Sequence, residues 1–95
     1  MKVTIYQEND PMFRVDDNKK VYDESNYHKV YEYRALMTED SVEDFLEVTF
    51  EVFNLENKPK GYEGHSLSVG DIVSVDGVLY ICANFGWKKV EWKTK

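Results

Sequence analysis

The chain opens on alternation. Lys2-Val3-Thr4-Ile5-Tyr6-Gln7 is rich in β-branched and aromatic residues and changes polarity with a period near two, which predicts a first strand. Asn9-Asp10-Pro11 ends it, as such a cluster of turn formers does. Met12-Phe13-Arg14-Val15 offers at most a short second strand, and residues 16 to 26 are polar enough to read as a loop. Alternation returns from 27 to 37. Tyr31, Tyr33, Ala35 and Met37 fall on one face and Val30, Glu32, Arg34 and Leu36 on the other, the pattern of a strand with one face buried.

The period then changes. Val42, Phe45, Leu46, Phe50 and Phe53 recur at helical spacing, opposite a stripe of Asp40, Glu43, Asp44, Glu47 and Glu51. Such a split predicts an amphipathic helix over 39–54. Thr38 is placed to cap it, with Glu39 and Asp40 at its positive end. The second half is ambiguous, because Glu47-Val48-Thr49-Phe50-Glu51-Val52-Phe53 also alternates and its β-branched residues weaken a helix.

Residues 54 to 63, with Pro59 and Gly61, form a turn-rich connection. Asp71–Val75 and Val78–Cys82 flank Asp76-Gly77, the strongest short hairpin signal. Pairing Val75 with Val78 puts Val73 and Tyr80 on one face and Ile72, Leu79 and Ile81 on the other. Both faces are apolar, so the hairpin should sit centrally with the helix over one side. Asn84-Phe85-Gly86 turns the chain into a last strand, Trp87 to Trp92. The expected fold class is α+β: one small domain over 1–95, with a mainly antiparallel sheet of four to six strands and one principal helix.

Composition narrows the function classes. Ninety-five residues suffice for one core and no more. No run approaches the roughly 20 apolar residues of a membrane span, and the N-terminal stretch does not read as a signal peptide. The single Cys82 cannot close an internal disulfide, which suits a cytoplasmic protein. Its simplest role is that of a small buried hydrophobe. A net charge of −6 argues against direct nucleic-acid binding, which needs cations to displace counterions from phosphates. It suits attraction to a basic partner.

Catalytic chemistry has little support. Gly64-His65-Ser66 is not the strand-to-helix nucleophile elbow, and nothing specifies a base and an oxyanion hole around it. A small hydrolase or nuclease centred on His65 is therefore the lesser alternative. On the structural reading, Ser66 or Ser68 caps a short helical turn over 67–69, and Gly70 lets the chain turn into the strand at Asp71. His28, His65 and Cys82 lack metal-ligand spacing, and the acids do not form a calcium loop. No glycines stand at phosphate-loop or dinucleotide spacing. Neither a metal nor a cofactor is expected.

The acidic helix is the more telling feature. Glu39, Asp40, Glu43, Asp44, Glu47, Glu51 and Glu56 occur with no lysine or arginine among them. Like charges at i, i+4 cost about 0.2–0.5 kcal/mol per pair, so stability alone would have interleaved lysines. A solvated face is the plain reading. A negative ridge presented to a basic partner is the functional one, with Asp40, Glu43, Asp44, Glu47 and Glu51 as candidate contacts. Tyr31, Tyr33 and Trp92 form a secondary candidate interface, since aromatics are enriched where proteins bind. Lys88, Lys89, Lys93 and Lys95 are too few for an RNA surface and suit the blunting of an edge strand.

Phe53-Asn54, Pro59, Gly64-His65-Ser66-Leu67-Ser68-Val69, Asp71-Ile72-Val73, Tyr80-Ile81-Cys82, Phe85-Gly86-Trp87 and the opening strand resemble the YodL-like family. These are small proteins from Firmicutes and their phages, plasmids and conjugative elements. The resemblance covers the C-terminal half and the first strand, and residues 9 to 38 add little to it. It implies a genomic setting and no enzymatic activity. Small acidic proteins of mobile elements often block host defence, in the manner of anti-CRISPR and anti-restriction proteins. Their targets hold DNA or guide RNA in basic channels. The expected function is thus non-enzymatic inhibition of a basic, nucleic-acid-binding host protein such as a CRISPR nuclease, as a monomer or small homo-oligomer. A regulatory adaptor for another host protein is the alternative.

Overall fold

Six strands order themselves as β2-β6-β5-β4-β1-β3 in the computed structural model, which describes residues 1–10, 19–36, 40–54, 61–62, 64 and 66–94. The strands are β1 (Lys2–Glu8), β2 (Val21–Tyr22), β3 (Tyr27–Arg34), β4 (Ile72–Val75), β5 (Val78–Ala83) and β6 (Gly86–Trp92), with one helix, α1 (Val42–Phe53). The α+β class follows directly. Six strands stand at the upper end of the expected range, and the sheet is mixed, because β2 runs parallel to β6.

The β4–β5 hairpin occupies the middle of the sheet, and Val75 pairs with Val78. Asp76 and Gly77 between them have φ of 52° and 88°, the positive values a type I′ turn requires. Asp76 also ties the hairpin to β1. Its carboxylate accepts the Lys2 N–H at 2.8 Å, and its own N–H donates to the Lys2 carbonyl at 2.9 Å. At the β5–β6 turn the left-handed position falls instead on Gly86, φ 94°, immediately after Asn84-Phe85.

Each sheet face carries its own core. Val3, Ile5, Val73 and Val75 meet Phe45, Leu46 and Phe53 of α1, with Leu67 completing the cluster. Ile72, Leu79, Ile81 and Val90 lie on the opposite face with Tyr22 and Tyr27. No helix covers that second face among the described residues. The curl of the sheet covers it. β2 and β3 stand at opposite ends of the strand order, yet only Asp23–Asn26 join them, with a 3₁₀ turn at Glu24–Asn26.

One irregularity in β3 serves both cores. Ile5 pairs with Tyr31 and Tyr6 with Lys29, so Val30 is an inserted residue. A β-bulge of this kind shifts the parity of side chains along the strand. Tyr31 and Tyr33 therefore face α1, while Tyr27, also odd-numbered, faces the second core.

The helix begins later than the sequence predicts. Its cap is Ser41, whose hydroxyl accepts the Asp44 N–H at 3.2 Å, and Asp40 precedes it. Ser41 has the extended backbone of a cap, φ −144° and ψ 161°, and stands three residues before Asp44, the spacing a hydroxyl cap needs. Thr38 and Glu39 lie outside the described residues. The helix continues to Phe53 and so decides the ambiguity over 47–53. Phe45, Leu46, Thr49 and Phe53 are buried, which only a helical period allows. A strand would have buried Val48 and Val52, and these are 41% and 39% exposed. The Thr49 hydroxyl is satisfied within the helix, donating to the Phe45 carbonyl at 2.9 Å.

One further expectation changes. The polar stretch 16–26 contains the strand Val21–Tyr22, whose partners on β6, Glu91 and Trp92, lie about 70 residues away and leave no local pattern. The expected strand at Met12–Val15 lies outside the described residues, as does Met37.

Candidate protein-binding surface

A buried polar knot holds the entry to β4. Asp71 is fully buried at the entry to β4, and one of its carboxylate oxygens, Oδ2, accepts from two donors. These are Gln7 Nε2 at 3.1 Å and the Ser68 N–H at 2.9 Å. Gln7, itself 1% exposed, also donates to the Tyr62 hydroxyl at 3.3 Å. A Cβ on Gly64 would collide with the Gln7 side-chain oxygen, so any other residue there would push Gln7 out of the knot. Burial pushes the Tyr62 hydroxyl up to about 12; the Asp71 charge adds to this, and the Gln7 hydrogen bond partly offsets it.

The backbone closes the same knot. Gly70 donates to the Cys82 carbonyl at 2.8 Å, and Cys82 donates back to the Asp71 carbonyl at 2.9 Å. The Tyr27 hydroxyl donates to the Gly70 carbonyl at 3.1 Å, and burial foremost raises its pKa well above the ordinary tyrosine range. Residues 66–68 are not helical. The expected cap over 67–69 is replaced by the Asp71 carboxylate, a charged acceptor and so a stronger one for the Ser68 N–H than a serine hydroxyl. Gly70 takes φ 99° and turns the chain into β4 as expected. His65 lies outside the described residues.

The acidic residues are arranged otherwise. Asp40, Glu43, Asp44, Glu47 and Glu51 are all exposed, four of them on α1. Glu32 pairs with Lys2 and Lys29, both at 3.6 Å, and no ridge carboxylate has such a partner among the described residues. Val48 and Val52 emerge along one edge of this stripe, between it and the buried Phe45 and Thr49. The exposed side of α1 is thus an acidic stripe with two half-exposed valines along one edge. The helical pattern placed these valines near the polar side, but their exposure depends on how the helix is rotated on the sheet.

The secondary aromatic candidates separate. Tyr31 and Tyr33, 5.6 Å apart, pack with Phe53 and Tyr62 on the α1 face. Burial raises the Tyr33 pKa, with a partial offset from its hydrogen bond to Thr49. Trp92 packs with Tyr6 and Tyr27 on the opposite face. The three do not form one continuous surface, because the Val30 bulge and the alternation of β6 direct them to different cores.

The residues that carried the family resemblance are mostly these core and turn positions. A family model for the YodL-like domain matches residues 3–92. The chain belongs to the YodL-like family. The match extends through residues 9 to 38, beyond the part legible from the motifs. A protein of Acanthamoeba polyphaga mimivirus, named uncharacterized protein R785, is 30% identical over 101 residues, covering 95% of this chain and 93% of its own. No solved structure matches the chain. No helix among the described residues is long and apolar enough to cross a membrane.

Proposed function

We propose that this YodL-like chain is a non-enzymatic, cytoplasmic accessory protein of a mobile genetic element that binds a basic, nucleic-acid-binding host protein. On this reading the partner belongs to host defence, of the kind that anti-CRISPR and anti-restriction proteins inhibit. The acidic face of α1 occupies the channel that otherwise holds guide RNA or DNA. The observation that carries the reading is the exposed stripe of Glu43, Asp44, Glu47 and Glu51, flanked on one side by Val48 and Val52, with no ion-pair partner among the described residues. Carboxylates present the charge sign of phosphates to such a channel, and the valines supply apolar contact that a merely solvated face does not need. A relative carried by a virus is in keeping with the proposed setting.

The test is capture of a CRISPR nuclease, with and without its guide RNA, followed by competition with DNA. Charge reversal at Glu43, Glu47 and Glu51 together should abolish capture. Capture that survives the triple reversal moves the interface off α1 and favours the adaptor reading.

A further inference from the structure

We infer that the pocket between α1 and the β5–β6 turn receives an arginine side chain of the basic partner, an inference that rests on the protein-binding reading above. The pocket is lined by Glu47 and Phe50 of the helix and by Cys82, Ala83, Gly86 and Trp87 of the hairpin. Its volume of ≈ 180 Å³ is below the roughly 300–1,000 Å³ of small-molecule sites and suits a single side chain.

The lining matches an arginine part by part. Phe50, Ala83 and Trp87 give apolar surface for the methylene stem, which long cationic side chains bury while their heads stay polar. Trp87 offers an indole face, the strongest of the aromatic partners for a guanidinium. Glu47 supplies a carboxylate on the wall, able to accept two parallel N–H bonds. It lies between Glu43 and Glu51 at i−4 and i+4, so two more negative charges stand along the same helix face.

The mouth is open for a structural reason. Gly86 takes φ 94°, and nothing lies within 4 Å of where its Cβ would be. The backbone needs glycine there, and the absent side chain leaves the entrance clear. Phe85 beside it is wholly exposed and can cover the entering segment. Among the described residues, no lysine or arginine lines the pocket. Lys88 pairs with Ile81 and so projects to the other face, whereas Lys89 lies on the Trp87 face two residues further along. Lys89 weakens the field felt by any cation. A guanidinium, weakly hydrated and able to stack, loses least in these surroundings, and an ammonium loses more.

The test is nuclear magnetic resonance titration of the whole chain with two capped peptides, acetyl-Gly-Gly-Arg-Gly-Gly-amide and its lysine counterpart. The arginine peptide should shift the Trp87 indole N–H and the Phe50 and Gly86 amides saturably, and the lysine peptide should bind about fivefold more weakly. Glu47→Gln should weaken the arginine peptide about fivefold, while Glu24→Gln, on the 3₁₀ turn between β2 and β3, should change it less than about twofold. Equal shifts along α1 with both peptides and an unmoved Trp87 would overturn the pocket and leave the acidic ridge standing. Trp87 shifts that persist undiminished in Glu47→Gln would remove the carboxylate, and the inference with it. No movement on α1 with either peptide would count against the pocket and the ridge together.

Discussion

Tyr27 and Trp92 stand with ring centroids 5.5 Å apart, although three strands separate β3 from β6 in the sheet. Tyr6 meets the same indole edge-on at 5.3 Å. Contact across that interval requires the sheet to roll over its helix-free face, and these rings fill the inside of the roll. Trp92→Ala should therefore cost about 2–3 kcal/mol, less than a fully buried tryptophan because the ring is partly exposed. Trp92→Phe should recover most of it. Urea denaturation measures both. A loss under about 0.5 kcal/mol for Trp92→Ala would mean the curl is held by something other than the aromatic cluster.

Gly77→Val separates backbone strain from crowding. Nothing lies within 4 Å of a Cβ at this position, but φ is +88°. The whole cost is then conformational, about 1–3 kcal/mol for a β-branched residue in a region it disfavours. Gly77→Asn, which tolerates positive φ, should cost less than half as much. Equal thermal shifts for the two variants would contradict a type I′ turn.

That hairpin was legible because its cause is local: two turn residues and their flanking alternation. The amphipathic helix was legible for the same reason, although its start was not, since both Thr38 and Ser41 satisfy the pattern and only coordinates choose. The Val30 bulge escaped because it depends on the register against β1. Gln7 and Asp71, 64 residues apart, give no joint signal in one sequence. Each reads alone as a polar residue at a strand end. The acidic stripe of the candidate surface was readable; its apolar edge at Val48 and Val52, and the separation of Trp92 from Tyr31 and Tyr33, required the packed structure.

Stability should fall in alkali. Burial, with the Asp71 charge second, raises Tyr62 from 10.0 to about 12, and Tyr6, Tyr27 and Tyr33 shift in the same direction. A phenol whose pKa is raised by folding stays neutral in the native state while the unfolded chain ionises. The native state is then fully stable below about pH 10 and loses ground until the pH passes the folded value near 12. Tyr62→Phe should flatten part of this slope, because it removes one titrating group. Melting temperatures followed from about pH 9 to 11.5 test it, and an unchanged slope in Tyr62→Phe would assign the alkaline loss to the other tyrosines.

Glu47→Lys sets stability against function at one position. Glu47 lies between Glu43 and Glu51 on the exposed face of α1, so two like-charge i, i+4 contacts become two attractive ones. Each change of sign is worth about 0.4–1 kcal/mol at low salt, counting the repulsion removed and the attraction gained. The isolated protein should become slightly more stable. If the ridge docks on a basic channel, the same substitution should weaken partner binding at least tenfold, since it removes one attraction and introduces one repulsion at the interface. Binding by the parent protein should also decline with salt, because exposed charges are screened over about 8 Å at physiological ionic strength, and Glu47→Lys should make that dependence shallower. A variant that gains stability and keeps its affinity at every salt concentration would show that the repulsion along α1 serves solubility alone.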